Sequence, residues 1–258
     1  MFYLTKISFE LIGVGIVREK SFYYSILGLI LSLLENEKFI KDKVLKISYK
    51  LLTDNILEVK IVFFGEDTFK SFVNEVLSKV GNYYDLNGIP VKLRNLNFDF
   101  FHLNIEKIKR ALEDNKLYRK VRLDFLSPTV VRRWRKEILL PLSEVYLINI
   151  LNKVLQTKYL SDYLGELIEG MNNKDFKKWL KFNVLPQRFN IRTVILTLKS
   201  WQMVGIRGYV FYWIYNIDNE WLIYLKMLKL QSILSPYIWL GSFVKLGLGD
   251  VSMNLTLN

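Results

Sequence analysis

The chain contains no cysteine, a single histidine and only five prolines. Without cysteine there is no disulfide framework, no thiolate zinc site and no cysteine nucleophile, and a reducing cytoplasm is the simplest home for such a protein. One histidine cannot build a zinc cluster, and no tight Asp/Glu constellation of the two-metal type is visible, so no cofactor is expected. No stretch reaches 18 uncharged apolar residues; the longest candidates, residues 22–34 and 230–244, are too short to span a bilayer. The N-terminus lacks a basic start, a continuous apolar run and a small-residue cleavage site, so no signal peptide is expected. Acidic side chains are also scarce, 25 against 37 Lys/Arg, which leaves a net charge of +12. That imbalance favours a polyanionic partner, nucleic acid before a membrane surface.

Half of the residues are hydrophobic and about a quarter charged, the composition of a folded chain. Its 258 residues suit one large domain or two of about 100–150 residues. β-branched and aromatic residues with alternation predict a strand within residues 2–16. Ser21 can cap a helix over residues 21–37, with Tyr24, Leu27, Leu31 and Leu34 on one face. Residues 43–52 and 57–64 read as a hairpin around Thr53-Asp54-Asn55. Period predicts a helix over 66–80, and Asn87-Gly88 turns the chain into a strand over 89–99. The order β-α-β-β-α-β is the ferredoxin-like layout.

The second half repeats it. A strand over 119–125 precedes a long helical region running from 143 to about 182. Strands over 191–200 and 208–215 flank a connection containing Gly205 and Gly208. A helix over 220–234 then leads through a glycine-rich stretch to a last strand over 250–257. The predicted fold class is therefore α+β, with two tandem ferredoxin-like (RRM-like) βαββαβ domains and a C-terminal glycine-rich loop. Residues 1–104 form the first domain and 118–258 the second.

Positive charge concentrates between the halves: residues 101–136 hold eleven Lys/Arg against four Asp/Glu. Arg119, Arg122, Arg132, Arg133, Arg135 and Lys136 in this segment can track a phosphate backbone, with Tyr118, Trp134 and Tyr146 near enough in sequence to stack bases. The alternative is a solvated basic connection around one buried tryptophan. Residues 209–215 read Tyr-Val-Phe-Tyr-Trp-Ile-Tyr, where alternation assigns half of the positions to the core. Gly241, Gly247 and Gly249 surround the lone cation Lys245. Such a loop either lets two strands pack or brings backbone amides close to a phosphate. His102 sits among Phe98, Phe100, Phe101 and Leu103; it is a structural histidine or a reserve catalytic group.

Three segments carry a resemblance to a known family. Val121-Arg122-Leu123-Asp124-Phe125-Leu126-Ser127-Pro128-Thr129, Gly205-Ile206-Arg207-Gly208-Tyr209-Val210-Phe211 and the loop from Gly241 to Val251 occur in an order and spacing similar to the second domain of the CRISPR-associated repeat-RNA endoribonucleases of the RAMP superfamily. The resemblance covers residues 119–255, and the N-terminal half agrees in layout. It implies a cytoplasmic, metal-independent endoribonuclease that cuts CRISPR repeat RNA in precursor transcripts. The 2′-hydroxyl would attack the adjacent phosphate and leave a 2′,3′-cyclic phosphate. The partner it implies is the repeat RNA, with effector-complex subunits or a second copy as further partners and no membrane. It also implies that Arg188 and Arg192 reach RNA from a β-hairpin, and that Lys245, Gly247 and Gly249 contact phosphate.

The chain departs from the family where many members carry a catalytic histidine. The corresponding text is Phe39-Ile40-Lys41-Asp42-Lys43-Val44-Leu45-Lys46, so Lys41 stands in the histidine's place and Lys46 where a lysine is frequent. Tyr23 and Tyr24 precede them in the region where some members have a catalytic tyrosine. A lysine stabilises charge or donates a proton at neutral pH, and acts as a base only if its surroundings lower its affinity for protons. The departure leaves a second reading, a non-catalytic repeat-RNA-binding subunit of an effector complex. A basic ferredoxin-like scaffold for other proteins is a third.

Overall fold

The computed structural model describes residues 1–13, 25–34, 44–86, 88–97, 103–113, 116–133, 136–170, 172–198, 201–215, 222–242 and 248–257. The chain divides into one unit of residues 1–103 with 243–248, and a second of residues 104–242 with 249–258.

In the first unit, β1 (Phe2–Leu11) pairs antiparallel with β3 (Ile56–Phe64) on one side and β5 (Ile89–Asn97) on the other. β2 (Val44–Thr53) extends the sheet beyond β3, and β4 (Tyr83–Leu86) beyond β5, giving the order β2-β3-β1-β5-β4. Between the strands come α1 (Ser25–Ser32) and α2 (Glu66–Leu77). The helix-facing side of the sheet is set by alternation: Tyr3 and Phe63 lie opposite one another, Tyr3 stacks on Phe69 of α2 at 5.0 Å, and Phe63 meets Phe72 at 4.7 Å. Ile7, Phe9, Ile61 and Phe72 are essentially excluded from water, each such burial being worth about 1.5–3 kcal/mol. The strand β4 is an addition to the predicted layout. Its hairpin with β5 is tied by the Gly88 amide, which donates to both carboxylate oxygens of Asp85 at 3.0 and 3.1 Å.

The second unit begins with α3 (Ile105–Leu112), whose N-cap Asn104 accepts from the Lys107 amide. Its four-stranded sheet has the order β11-β6-β10-β9, from β6 (Lys120–Thr129), β9 (Val184–Leu198), β10 (Trp201–Ile214) and β11 (Val251–Thr256). A short ribbon, β7 (Arg132–Arg133) with β8 (Lys136–Glu137), follows β6. The helical region is four pieces: α4 (Ser143–Tyr146), α5 (Asn149–Gln156), α6 (Lys158–Ile168) and α7 (Asn173–Asn183). Asn172 marks the last break, its side chain accepting from the amides of Lys174 and Asp175 at 3.0 and 3.5 Å. The helix α8 (Leu222–Leu234) precedes β11. Both units thus carry the 4-1-3-2 strand order of the ferredoxin-like fold, the first with one strand added.

The predicted connection through Gly205 and Gly208 is corrected: both glycines lie inside β10, which begins at Trp201. β9 and β10 stay paired from Val184↔Ile214 to Trp201↔Leu198, with one register shift between Phe211 and Tyr212, a ladder much longer than alternation alone predicted. Gly208 is a breaker in sequence but a contact in the fold. It has φ 127°, sits at the register shift against β6, and lies so close to β9 that a Cβ would stand 2.0 Å from the Asn190 carbonyl oxygen.

Candidate nucleic-acid interface

The sheet of the second unit has two chemically different faces. Val121, Leu123 and Phe125 of β6 and Val210, Tyr212 and Ile214 of β10 are buried on the helix side. There Phe125 meets the Tyr146 ring at 5.4 Å, and Ser232 of α8 donates to the Met253 carbonyl. Alternation turns the intervening residues the other way. Lys120 is opposite Trp213, Arg122 opposite Phe211 and Asp124 opposite Tyr209. On β9, Arg188 faces Phe211, Asn190 faces Tyr209 and Arg192 faces Arg207.

This second face is cationic. Lys120 Nζ lies 4.9 Å from the Trp213 ring centroid, and Arg122 Cζ lies 5.2 and 5.3 Å from those of Tyr209 and Phe211. Asp124 holds Arg122 in place through bonds of 2.8–2.9 Å from Nε and Nη2, and these strengthen the guanidinium's hold on its proton. At the end of the face nearest Gly208 is a concavity of about 410 Å³, lined in part by Asn190, Arg192, Arg207 and Tyr209. Arg192 and Arg207 stand directly opposite one another in the ladder beside this concavity, which brings two guanidinium groups to one place.

The candidate residues scatter over this frame. Arg119, Arg188 and Arg192 are exposed, as is Lys136 on the ribbon. Arg132 is engaged by Glu137, with Nη2 and Nε donating to Oε1 at 2.8 and 3.1 Å. Arg133 lies in β7, and its side chain is outside what is described. Trp134, Arg135, His102, Tyr23, Tyr24, Lys41, Lys245 and Gly247 fall outside the described residues. Tyr146 is not a stacking residue: it is fully buried, its hydroxyl donates to the Ile138 carbonyl, and burial pushes its phenol well above its ordinary range. Gly249 presents no amide to a phosphate. Its N–H donates to the Pro128 carbonyl, its carbonyl accepts from Leu240, and a Cβ would lie 2.1 Å from the Leu240 oxygen at φ 78°. Glycine at 249 is required by that backbone packing. Arg207 and Asn190 escaped the sequence reading; the usable signal was their spacing of two from Tyr209 and Arg192.

In the first unit, Lys46 belongs to β2 and is 2% exposed. It faces Val62, on the side of the sheet away from α2, and Ser48, two residues along, faces Lys60, itself opposite Lys6. Three adjacent strands thus bring Lys6, Lys46 and Lys60 to one face. Among the described residues no group of three His, Asp or Glu side chains could hold a metal ion, and no helix is long and apolar enough to cross a membrane.

The Arg132–Glu137 pair makes a pH prediction. Hydrogen bonding from Arg132 holds the Glu137 carboxyl below its ordinary value. A depressed carboxyl contributes stability that is present above its unfolded value, about 4.3, and is lost as pH falls through the lower folded value. The pair is partly exposed, so the contribution is below about 1 kcal/mol. Urea midpoints of wild type and Glu137→Gln are expected to differ at neutral pH and converge in that acid window.

No known protein family and no curated protein matches the chain by sequence. Solved structures do match in fold. A Cas6 product complex aligns at TM-score 0.66 with 16% identity, over 98% of this chain and 100% of the other. A Thermus thermophilus Cas6 aligns at 0.70 with 12% identity over 98% of each. A RAMP protein described as binding different RNA substrates aligns at 0.52 with 14% identity, over 98% of this chain and 99% of the other. The tandem ferredoxin-like architecture of these proteins is the architecture of this chain.

Proposed function

We propose that this protein is a Cas6-type RAMP protein that binds CRISPR repeat RNA and cuts it within precursor transcripts, by attack of a 2′-hydroxyl on the adjacent phosphate. The observation that carries the proposal is the fold, shared along 98% of the chain with a Cas6 in a product complex. The cationic sheet face of the second unit supports RNA as the partner. In this reading the first domain carries the chemistry and the second holds the RNA. Arg119, Arg188, Arg192 and Lys136 contact phosphates, and Lys245 does so from the glycine-rich stretch.

The reaction needs a proton acceptor near the 2′-oxygen, a donor for the departing 5′-oxygen and positive charge beside the phosphorane. With lysine at position 41 where many related enzymes carry histidine, Lys41 and Lys46 supply charge stabilisation and proton donation. Tyr23 and Tyr24 are further donors, and the 2′-hydroxyl proton passes to solvent water, with His102 in reserve as its acceptor. Incubation with repeat RNA in EDTA tests the proposal. Cleavage at one position, with a cyclic-phosphate end, is the expected result. Tight and selective binding of repeat RNA without cleavage would instead identify a binding subunit of an effector complex, the reading that the missing histidine favours.

A further inference from the structure

The outward positions of β10 carry an aromatic row. Tyr209, Phe211 and Trp213 follow one another at every second residue, with Tyr215 just beyond the strand and 44% exposed. Tyr209 and Phe211 meet edge to face at 5.5 Å, and Trp213 and Tyr215 lie 6.4 Å apart. All three strand aromatics are half-buried. An ordinary solvated face would alternate polar residues here, as β11, on the other side of β6, does with Ser252, Asn254 and Thr256.

Charge decides what such a row receives. A protein-docking face would be rimmed by charges of both signs, whereas the described outward residues of β6, β9 and β10 include Lys120, Arg122, Arg188, Arg192 and Arg207 against one acidic residue, Asp124. The cations are interleaved with the rings, and Arg122 is pinned over two of them. A fixed guanidinium beside aromatic rings adds a further flat surface for a base. Successive outward side chains lie about 7 Å apart along a strand, which lets each ring take its own base. The concavity at the Gly208 end is lined by the facing pair Arg192 and Arg207, two cations placed to bracket one backbone phosphate.

We infer that this face is a stacking track for unpaired RNA: bases lie on Tyr209, Phe211 and Trp213, and a phosphate is held by Arg192 and Arg207. The inference rests on the proposed function for the identity of the polymer and adds to it a requirement for single-stranded nucleotides. Arg207 becomes a binding residue, and Asn190, beside it, can hydrogen-bond a base edge. Because every base has a flat face, the track tolerates any sequence.

The experiment compares two strands of equal length and charge on the unaltered protein, an oligouridylate and an abasic ribose-phosphate oligomer, by fluorescence anisotropy. Each stacked base contributes about 5- to 150-fold in affinity, so the oligouridylate is expected to bind at least about tenfold more tightly. The Tyr209→Leu/Phe211→Leu double variant, which leaves the opposite core face untouched, is expected to lose most of that preference and keep only the part that Trp213 supplies. Equal binding of the two strands by wild type overturns the track, as does full base preference in the double variant. Repeat-RNA cleavage is measured in parallel. Cleavage without base preference overturns the track and leaves the proposed function standing. Base preference with neither cleavage nor selective binding of repeat RNA supports the track and overturns the proposed function.

Discussion

Gly208→Ala is expected to destabilise the second unit by about 3–5 kcal/mol, read as a lower urea midpoint. The figure combines two effects. A residue with a side chain at a φ of 127° is strained by about 1–3 kcal/mol. In addition, a Cβ 2.0 Å from the Asn190 oxygen and 3.2 Å from the Ile191 Cα forces β10 away from β9. The obstacle is backbone on both counts, so no side-chain rotation relieves it, and each ladder hydrogen bond stretched costs roughly 1 kcal/mol. Gly165, within α6, is the control. Nothing lies within 4 Å of a Cβ there, so Gly165→Ala is expected to stabilise by about 0.4–1 kcal/mol. A Gly208→Ala protein that unfolds with wild type would show that the β9–β10 approach is looser than described. The same substitution would displace Tyr209 and the Arg192–Arg207 pair, so RNA binding is expected to fall with stability.

Lys46→Met is expected to slow repeat-RNA cleavage about 10²- to 10³-fold at saturating RNA while leaving affinity near wild type. This is the range seen when one preorganised charge-stabilising donor is removed from an active site. A cation withdrawn from bulk water acts on a developing phosphorane with little screening by salt. Lys46, at 2% exposure on a face shared with Lys6 and Lys60, has that environment. Methionine keeps the length of the apolar stem, and the urea midpoint, measured alongside, separates a loss of folding from a loss of chemistry. A fall in turnover without a change in binding is the signature of an interaction made only in the transition state. Unchanged cleavage by Lys46→Met would remove Lys46 from the catalytic set and leave Lys41 to carry the role.

The strand and helix succession of the first unit was legible because its signals are local. Apolar residues at every second position of β1 and β3, and Phe69, Phe72 and Val76 at helical spacing in α2, name their elements without reference to anything distant. The division of 209–215 into two faces was legible for the same reason. Basic composition points to a polyanion by itself. What alternation could not supply was the partner of each face, because two sides of a strand look alike until helices cover one of them. Tyr146 read as a stacking aromatic and proved to be core, since only packing of α4 on Phe125 buries it. Arg122 and Arg132 read as free cations, while the register of β6 and the β7–β8 ribbon brings Asp124 and Glu137 against them.

By itself, then, the amino-acid order determined the repeated βαββαβ layout and the sign of the surface charge, both properties of short windows and of composition. Tertiary structure alone decided that Gly208 is a point of backbone contact, that the Gly249 amide is used within the fold, and that Arg192 meets Arg207. Those facts depend on strand register between residues far apart in the chain. A one-residue change of register would have turned every one of those side chains to the opposite face.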